Sequence, residues 1–312
     1  MELCSFPCDL HGHTNRSDGN DTPVEFLKHA AERKVRIAAI TDHDKVPPKS
    51  VEVDGKTVDI REYAASLGVK LIPGIEISCE THIEDCHLVC FGCDWDDPFF
   101  KWLDDFTVQS KTDSYKLLVE RLGEMNMPLS WEEILDNHGS PIPESSIQKK
   151  MIFNMIAEKG YTKTWSEAKM MVKRTPRLSI DRAKPDAVET IHAIHRIGGI
   201  IIQAHPYLVA DRVQYREKEI SRAEFIEHLI FEGLDGIEAR YTYDKTSYGG
   251  GLSKEEIYHR VIRDYAGRIP IISGGSDYHA DRKKGVENQR DIGECGLTES
   301  EFYSNPLLMK LL

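Results

Sequence analysis

Short apolar runs recur along the chain, separated by longer amphipathic stretches. The runs fall at 6–10, 36–41, 69–75, 87–93, 199–204, 235–240 and 269–274 and are rich in Ile, Val, Leu and Ala. Runs of this length predict buried β-strands. Helical spacing falls near 23–34, 57–67, 186–198 and 252–266. Thr22 is placed to cap the first of these helices, with Pro23 at its opening position and Glu25 in its first turn. Strands alternating with helices predict parallel β/α units, hence an α/β fold. Seven such units predict a closed barrel, whose chemistry sits at the C-terminal strand ends.

The rhythm breaks between 98 and 185. Helical periodicity covers 98–125, 130–137, 145–159 and 164–172, with Pro128, Pro141, Pro143 and Pro176 as punctuation and no convincing strand. The expected organisation is a barrel domain from 1–97 and 186–312, interrupted by a helical insertion over 98–185. That insertion is expected to fold over the barrel mouth and supply substrate contacts. There is no internal repeat and no low-complexity tract.

Titratable residues cluster where the apolar runs end. Asp9-Leu-His11-Gly-His13 closes the first run, and side chains two apart on a strand share a face, so both imidazoles can reach one cation. Asp18 and His43 follow at loop positions; Glu76, His205, Asp277 and His279 end later runs. His87 differs, because it opens its run. Taken alone, His-x-His is weak: 13 histidines in 312 residues yield about half a match by chance. The repetition of nitrogen and oxygen ligands at successive strand ends carries the signal, and it points to a hydrolytic metal centre.

Composition narrows the function. A net charge of −12 argues against long nucleic acids or anionic membranes as partners. No apolar run approaches the roughly 18 residues that span a bilayer, and no basic segment precedes a long apolar stretch, so a cytoplasmic protein is expected. Seven cysteines form no regular framework. Cys79, Cys86, Cys90 and Cys93 read as small apolar residues of a buried strand rather than as a zinc knuckle.

With these segments laid out, the chain resembles the polymerase-and-histidinol-phosphatase (PHP) family of metal-dependent phosphoesterases. The resemblance rests on Asp9-Leu-His-x-His-Thr-x-x-Ser-Asp-Gly19, Thr41-Asp-His-Asp44, Pro73-Gly-Ile-Glu76, Ile191-His with Gly198-Gly, Ala204-His-Pro206, Gly236-Ile-Glu238 and Gly274-Gly-Ser-Asp-x-His279. The helical insertion is similar to that of the branch acting on nucleotides, nucleotide 3′,5′-bisphosphates, short RNA 5′ ends and cyclic ribose phosphates. The family implies a distorted seven-stranded β/α barrel, TIM-like, holding two or three divalent ions, with manganese favoured over iron or zinc. Carried onto this chain, one ion takes His11, His13, Glu76 and Asp277. A second shares Glu76 with His87 and His205, and a third sits with Asp18, His43 and His279. Glu76, His205 and Asp277 are the implied catalytic residues. One departure stands out: many relatives place a histidine after the Gly/Pro-rich part of the insertion, where this chain reads Pro141-Ile-Pro-Glu-Ser-Ser-Ile147.

Three divalent ions against three carboxylates leave about +3 at the site, enough to draw a phosphate into an acidic protein. A hydroxide bridging two of the ions is expected to attack phosphorus, so no protein nucleophile is needed. Arg177 and Arg240 are candidate phosphate-binding residues, with Lys173 and Arg174 weaker ones, and Tyr241 a candidate to stack on a base or sugar. Asp42 and Asp44 are candidates to orient imidazoles. His192 and His195 read as packing or capping residues; His29, His82, His138, His228 and His259 as surface or helix residues. The expected function is hydrolysis of a phosphate mono- or cyclic diester on a small ribose-containing metabolite. Alternatives are a 5′-3′ exoribonuclease on short RNA, an amidohydrolase-type metal hydrolase and a non-catalytic binding module.

Overall fold

The structure, a computed structural model, describes residues 3–80 and 86–312. Seven strands form one sheet: β1 (Cys8–Asp9), β2 (Ile37–Ile40), β3 (Lys70–Cys79), β4 (Cys86–Phe91), β5 (Ile200–Gln203), β6 (Gly236–Arg240) and β7 (Ile271–Gly274). Each lies within or against one of the seven apolar runs. They follow one another in chain order around the sheet. The Leu10 amide donates to the Gly274 carbonyl at 3.3 Å, bringing the first strand back to the last. The result is a nearly closed, distorted seven-stranded barrel of the TIM-like kind.

The expectation of uniformly parallel strands needs one correction. β4 runs antiparallel to both neighbours, with Ser78 opposite His87 and Leu88 opposite Gln203. β3 and β4 are joined by too few residues for a crossover helix, and a short connection between adjacent strands returns antiparallel. The reversal also accounts for His87: the start of β4 lies at the same rim as the C-terminal ends of the parallel strands.

Pro23–Glu32 begins with a capping box in which Thr22 and Glu25 satisfy each other's backbone amides. Ala187–Arg196 and Lys254–Tyr265 are also helices, close to the predicted ranges. Helix 57–67 is shorter than expected. Only Ile60–Ser66 is helical, and Lys56–Asp59 instead pairs with Ser50–Val53 in a hairpin. A second hairpin (Arg212–Tyr215 with Lys218–Ser221) and the helix Arg222–Phe231 had no sequence-based expectation.

Two apolar clusters flank the sheet. Leu10, Ile37, Ile72, Val89, Phe91, Ile202 and Ile271 pack with the C-terminal Phe302 and Leu308, while Phe26, Leu27, Ile40, Ile60 and Tyr278 pack on the other side. All seven cysteines are free, and Cys79, Cys86, Cys90 and Cys93 are buried on β3, β4 and just beyond. The chain divides into two compact units, residues 1–100 with 185–312, and Lys101–Lys184. The second unit contains most of the long helix Pro98–Glu124 together with Trp131–Asp136, Lys149–Glu158 and Trp165–Arg174, and its own core of Leu118, Leu122, Ile152, Phe153, Ile156 and Val172. No helix among the described residues is long and apolar enough to cross a membrane.

Candidate metal centre

At the C-terminal rim, the loops after β1, β2, β5 and β7 and the facing parts of β3 and β4 bring nine side chains together. His11 and His13 alternate beyond β1 and are wholly buried. Gly275 permits this, because a Cβ there would collide with the backbone and Cβ of His11. His205 and Asp277 sit at φ 28° and 51°, left-handed backbone that non-glycine residues adopt at a cost of about 1–3 kcal/mol each.

Glu76 lies at the centre. Its Oε2 is 3.2 Å from His11 Nε2, 3.1 Å from His13 Nε2 and 3.1 Å from His43 Nδ1. Its Oε1 is 2.9 Å from His87 Nδ1 and 3.0 Å from His205 Nε2. One carboxylate therefore faces five imidazoles, three through one oxygen and two through the other. Asp277 adds Oδ1 at 3.0 Å from His13 Nε2 and 3.5 Å from His11 Nε2. Asp18 Oδ1 lies 3.1 Å from His279 Nε2 and 4.0 Å from His43 Nε2. His13 and His43 each face Glu76 with one ring nitrogen and Asp18 with the other.

These distances do not make a satisfied hydrogen-bond network. His11 Nε2, both nitrogens of His13, His43 Nδ1, His205 Nδ1 and Glu76 Oε2 are buried without a hydrogen-bond partner. Leaving a buried polar group unsatisfied costs about 1–3 kcal/mol, and six in one place need a common explanation. Divalent cations would supply it: the donor atoms of His11, His13, Glu76 and Asp277 lie within 4.8 Å of one another, as do those of His13, Asp18, His43 and His279, and those of His43, Glu76 and His87. Imidazole and carboxylate without thiolate suit zinc, iron or manganese.

The charges point the same way. Burial disfavours ionisation of Glu76 and Asp277, yet the surrounding imidazoles hold both carboxyls well below their usual range. Burial also opposes charge on His13, but its contacts with Asp277 and Glu76 outweigh this and raise it to about 9. His43 goes the other way: burial, against the pull of Glu76, takes it down to about 4.

Around the ligands stand groups that fix them. Glu238 Oε1 accepts from His11 Nδ1 at 2.9 Å, which leaves Nε2 as the nitrogen that could ligate a metal. Its Oε2 accepts from the His205 amide at 2.7 Å. Asp277 Oδ2 accepts from the Tyr241 hydroxyl at 2.7 Å and from Arg290 at 2.6 Å, which leaves Oδ1 to face the histidines. Asp9 accepts from the amides of His11, Ser276 and Gly293, tying the first strand's end to the last strand's loop. Neither Arg290 nor Asp9 had been assigned a role from sequence, and Glu238 appeared only as part of a motif.

Several expected roles fall elsewhere. The Arg240 guanidinium pairs with Glu301 at 2.8 Å and lies over the rings of Tyr258 and Phe6, so it is engaged away from the centre rather than offered to a phosphate. The cause is a register shift between Glu238 and Arg240, a bulge that re-aims successive side chains. The same shift turns Tyr241 inward, where it is 2% exposed and bonded to Asp277, in no position to stack on a base. Arg177 belongs to the helical unit and pairs there with Glu124 at 2.7 Å. Asp42 accepts from Thr14 and Ser17 and serves loop geometry, while Asp44 accepts from Ser78 and its charge also acts on the His87 imidazole. His195 bonds Asp235 and His29 bonds Asp291; His82 lies outside the described residues.

A nearly closed α/β barrel with a buried imidazole–carboxylate cluster at its C-terminal rim defines a candidate metal-centred protein. The chain belongs to the PHP domain family, whose model matches residues 9–171, more than half of its length. It is 28% identical over 207 residues to the 5′-3′ exoribonuclease Rnm of Salmonella typhimurium, covering 64% of each chain, just under two thirds of that enzyme's length. It is 25% identical over 276 residues to the phosphoribosyl 1,2-cyclic phosphate 1,2-diphosphodiesterase of Eggerthella lenta, covering 87% of this chain and 93% of that one. A solved structure from Bifidobacterium adolescentis, described as a metal-dependent phosphoesterase, shares the fold with a TM-score of 0.68 at 23% identity over 98% of each chain.

Proposed function

We propose that the protein is a metal-dependent phosphoester hydrolase acting on a small ribose-containing phosphate. The substrate class is a nucleotide, a nucleoside 3′,5′-bisphosphate or a cyclic ribose phosphate, in the cytoplasm. The single observation that carries the reading is the Glu76 carboxylate, shared between two sets of imidazoles, with ring nitrogens of His11, His13, His43 and His205 buried and without a hydrogen-bond partner. Two or three divalent ions, manganese foremost, would be held by His11, His13, Glu76 and Asp277, by Glu76, His87 and His205, and by Asp18, His43 and His279. When bound they supply a water acidified toward neutrality and positive charge against the phosphate oxygens.

The chain's own residues do the rest. Glu238 fixes the tautomer of His11 and, through the His205 amide, the entry of the loop after β5. Tyr241 and Arg290 hold one oxygen of Asp277, so that only the other is available as a ligand. With His11, His205 and Asp277 held in this way, less reorganisation is left for the reaction itself. The helical segment 98–185 is proposed as a separate insertion domain.

The test is a panel of nucleotides, 3′,5′-bisphosphates, cyclic ribose phosphates and short RNAs, assayed after chelation and manganese readdition. Manganese-dependent phosphate release or ring opening that vanishes in Glu76→Gln is expected. No turnover of any phosphoester with manganese, iron or zinc would remove the reading, and ammonia release from an amide would replace it.

A further inference from the structure

Beside His205 the barrel unit carries a cleft of about 450 Å³ that the metal centre does not use. Its wall begins two residues after His205, at Tyr207, whose ring connects back through Tyr243 and Tyr241 to His205 in successive ring contacts of 6.3, 4.9 and 5.0 Å. Of the residues lining it, Arg222, Arg260 and Asp211 are the charged ones. Arg222 pairs with Asp211 at 2.8 Å, lies over the Tyr207 ring at 4.1 Å and donates to the Val209 carbonyl. Arg260 has no hydrogen-bond or ion-pair partner among the described residues. The opposite lip is Gly249-Gly250-Gly251, and none of these three amides finds an acceptor among the described residues.

Asp211 neutralises Arg222, so the exposed Arg260 guanidinium and the three unused, exposed amides are what the cleft offers an anion within a chain of net charge −12. Glycine amides presented together with arginine recognise tetrahedral oxyanions, because neither demands a particular organic scaffold. Gly250 contributes by being small: a Cβ there would collide with the Tyr248 ring folded beside it. The cleft is also within the size range of pockets that hold small ligands. We propose that this cleft is a phosphate-binding subsite adjoining the metal centre, with Arg260 and the Gly249–Gly251 amides as its anion-binding groups. The phosphate is either a second one carried by the substrate or a separate inorganic anion. Its part in catalysis rests on the phosphoester reading above; anion binding itself does not.

Titration of inorganic phosphate and pyrophosphate into metal-free protein, followed by calorimetry, reads the subsite alone. Binding by the wild type is expected, weakened about tenfold in Arg260→Met, as for loss of one charge-assisted pair. Gly250→Ala should weaken it too, with circular dichroism and metal content showing that the fold is kept. For a substrate-borne phosphate, Arg260→Met raises KM for a nucleoside 3′,5′-bisphosphate about tenfold relative to KM for the 5′-monophosphate. For a separate anion, neither KM responds while wild-type phosphate binding persists. Absence of phosphate binding in the wild type, or equal binding in both variants, overturns the proposal. A protein that binds phosphate here yet retains no metal would sink the hydrolase reading and leave this subsite standing.

Discussion

Glu76 and Glu238 divide the work of carboxylates at this centre. Glu76 offers both oxygens inward, whereas Glu238 spends one oxygen on His11 Nδ1 and the other on the His205 amide. Removing the charge of Glu238 leaves the ligands present but less basic and less well aimed. Glu238→Gln should therefore lower metal affinity about 10–100-fold, as measured by competition with a fluorescent chelator, with the fold unchanged. Equal affinities would show that Glu238 does not orient His11. Eight of the nine inward-facing side chains stand in short motifs at strand ends or in the loops after them, which made them legible in sequence, whereas His87 opens its strand outside any such motif. Arg240 was misread because strand alternation puts it on the Glu238 face, and only the bulge between them turns it toward Glu301. Arg290 gave no signal at all: it lies in a polar loop, and closure of the barrel alone brings it to Asp277.

At the level of elements, the centre depends on how closely the first and last strands approach. Gly275 lets the loop after β7 pass directly over His11, where a methyl group would meet backbone. Gly275→Ala is expected to cost about 1–3 kcal/mol, an overpacking penalty, and to reduce metal retention in the same sample. Unchanged thermal stability and metal content would contradict the packing argument. The seven strands were readable because their runs are apolar on both faces, but direction was not, and β4 is antiparallel for want of a crossover. The hairpin Ser50–Val53/Lys56–Asp59 did carry a signal, since Asp54-Gly55 is a turn pair with φ of 50° and 74°. Arg216-Glu217, which turns the other hairpin, has no comparable signature.

For the whole molecule, metal and protons compete for one cluster. In the metal-free protein His13 is raised from 6.5 to about 9, with His11 raised as well, both by buried carboxylates that outweigh burial. A folded-state value above the unfolded one stabilises fully below pH 6.5, and that contribution is lost as pH rises through about 9. Bound cations displace those protons, so loaded protein escapes the loss. Thermal unfolding with and without chelator should show a gap that widens from pH 6.5 to about 9. A gap independent of pH would mean that the protons are elsewhere. The apolar clusters on either side of the sheet do not involve the ligands, so metal-free protein is expected to remain folded.

The most direct test is elemental analysis of purified wild-type protein beside Glu76→Gln. Two or more divalent ions per chain in the wild type, falling by at least two in the variant while circular dichroism stays the same, is the expected result. A metal content that is negligible in both, or equal in both, would contradict a centre built around Glu76.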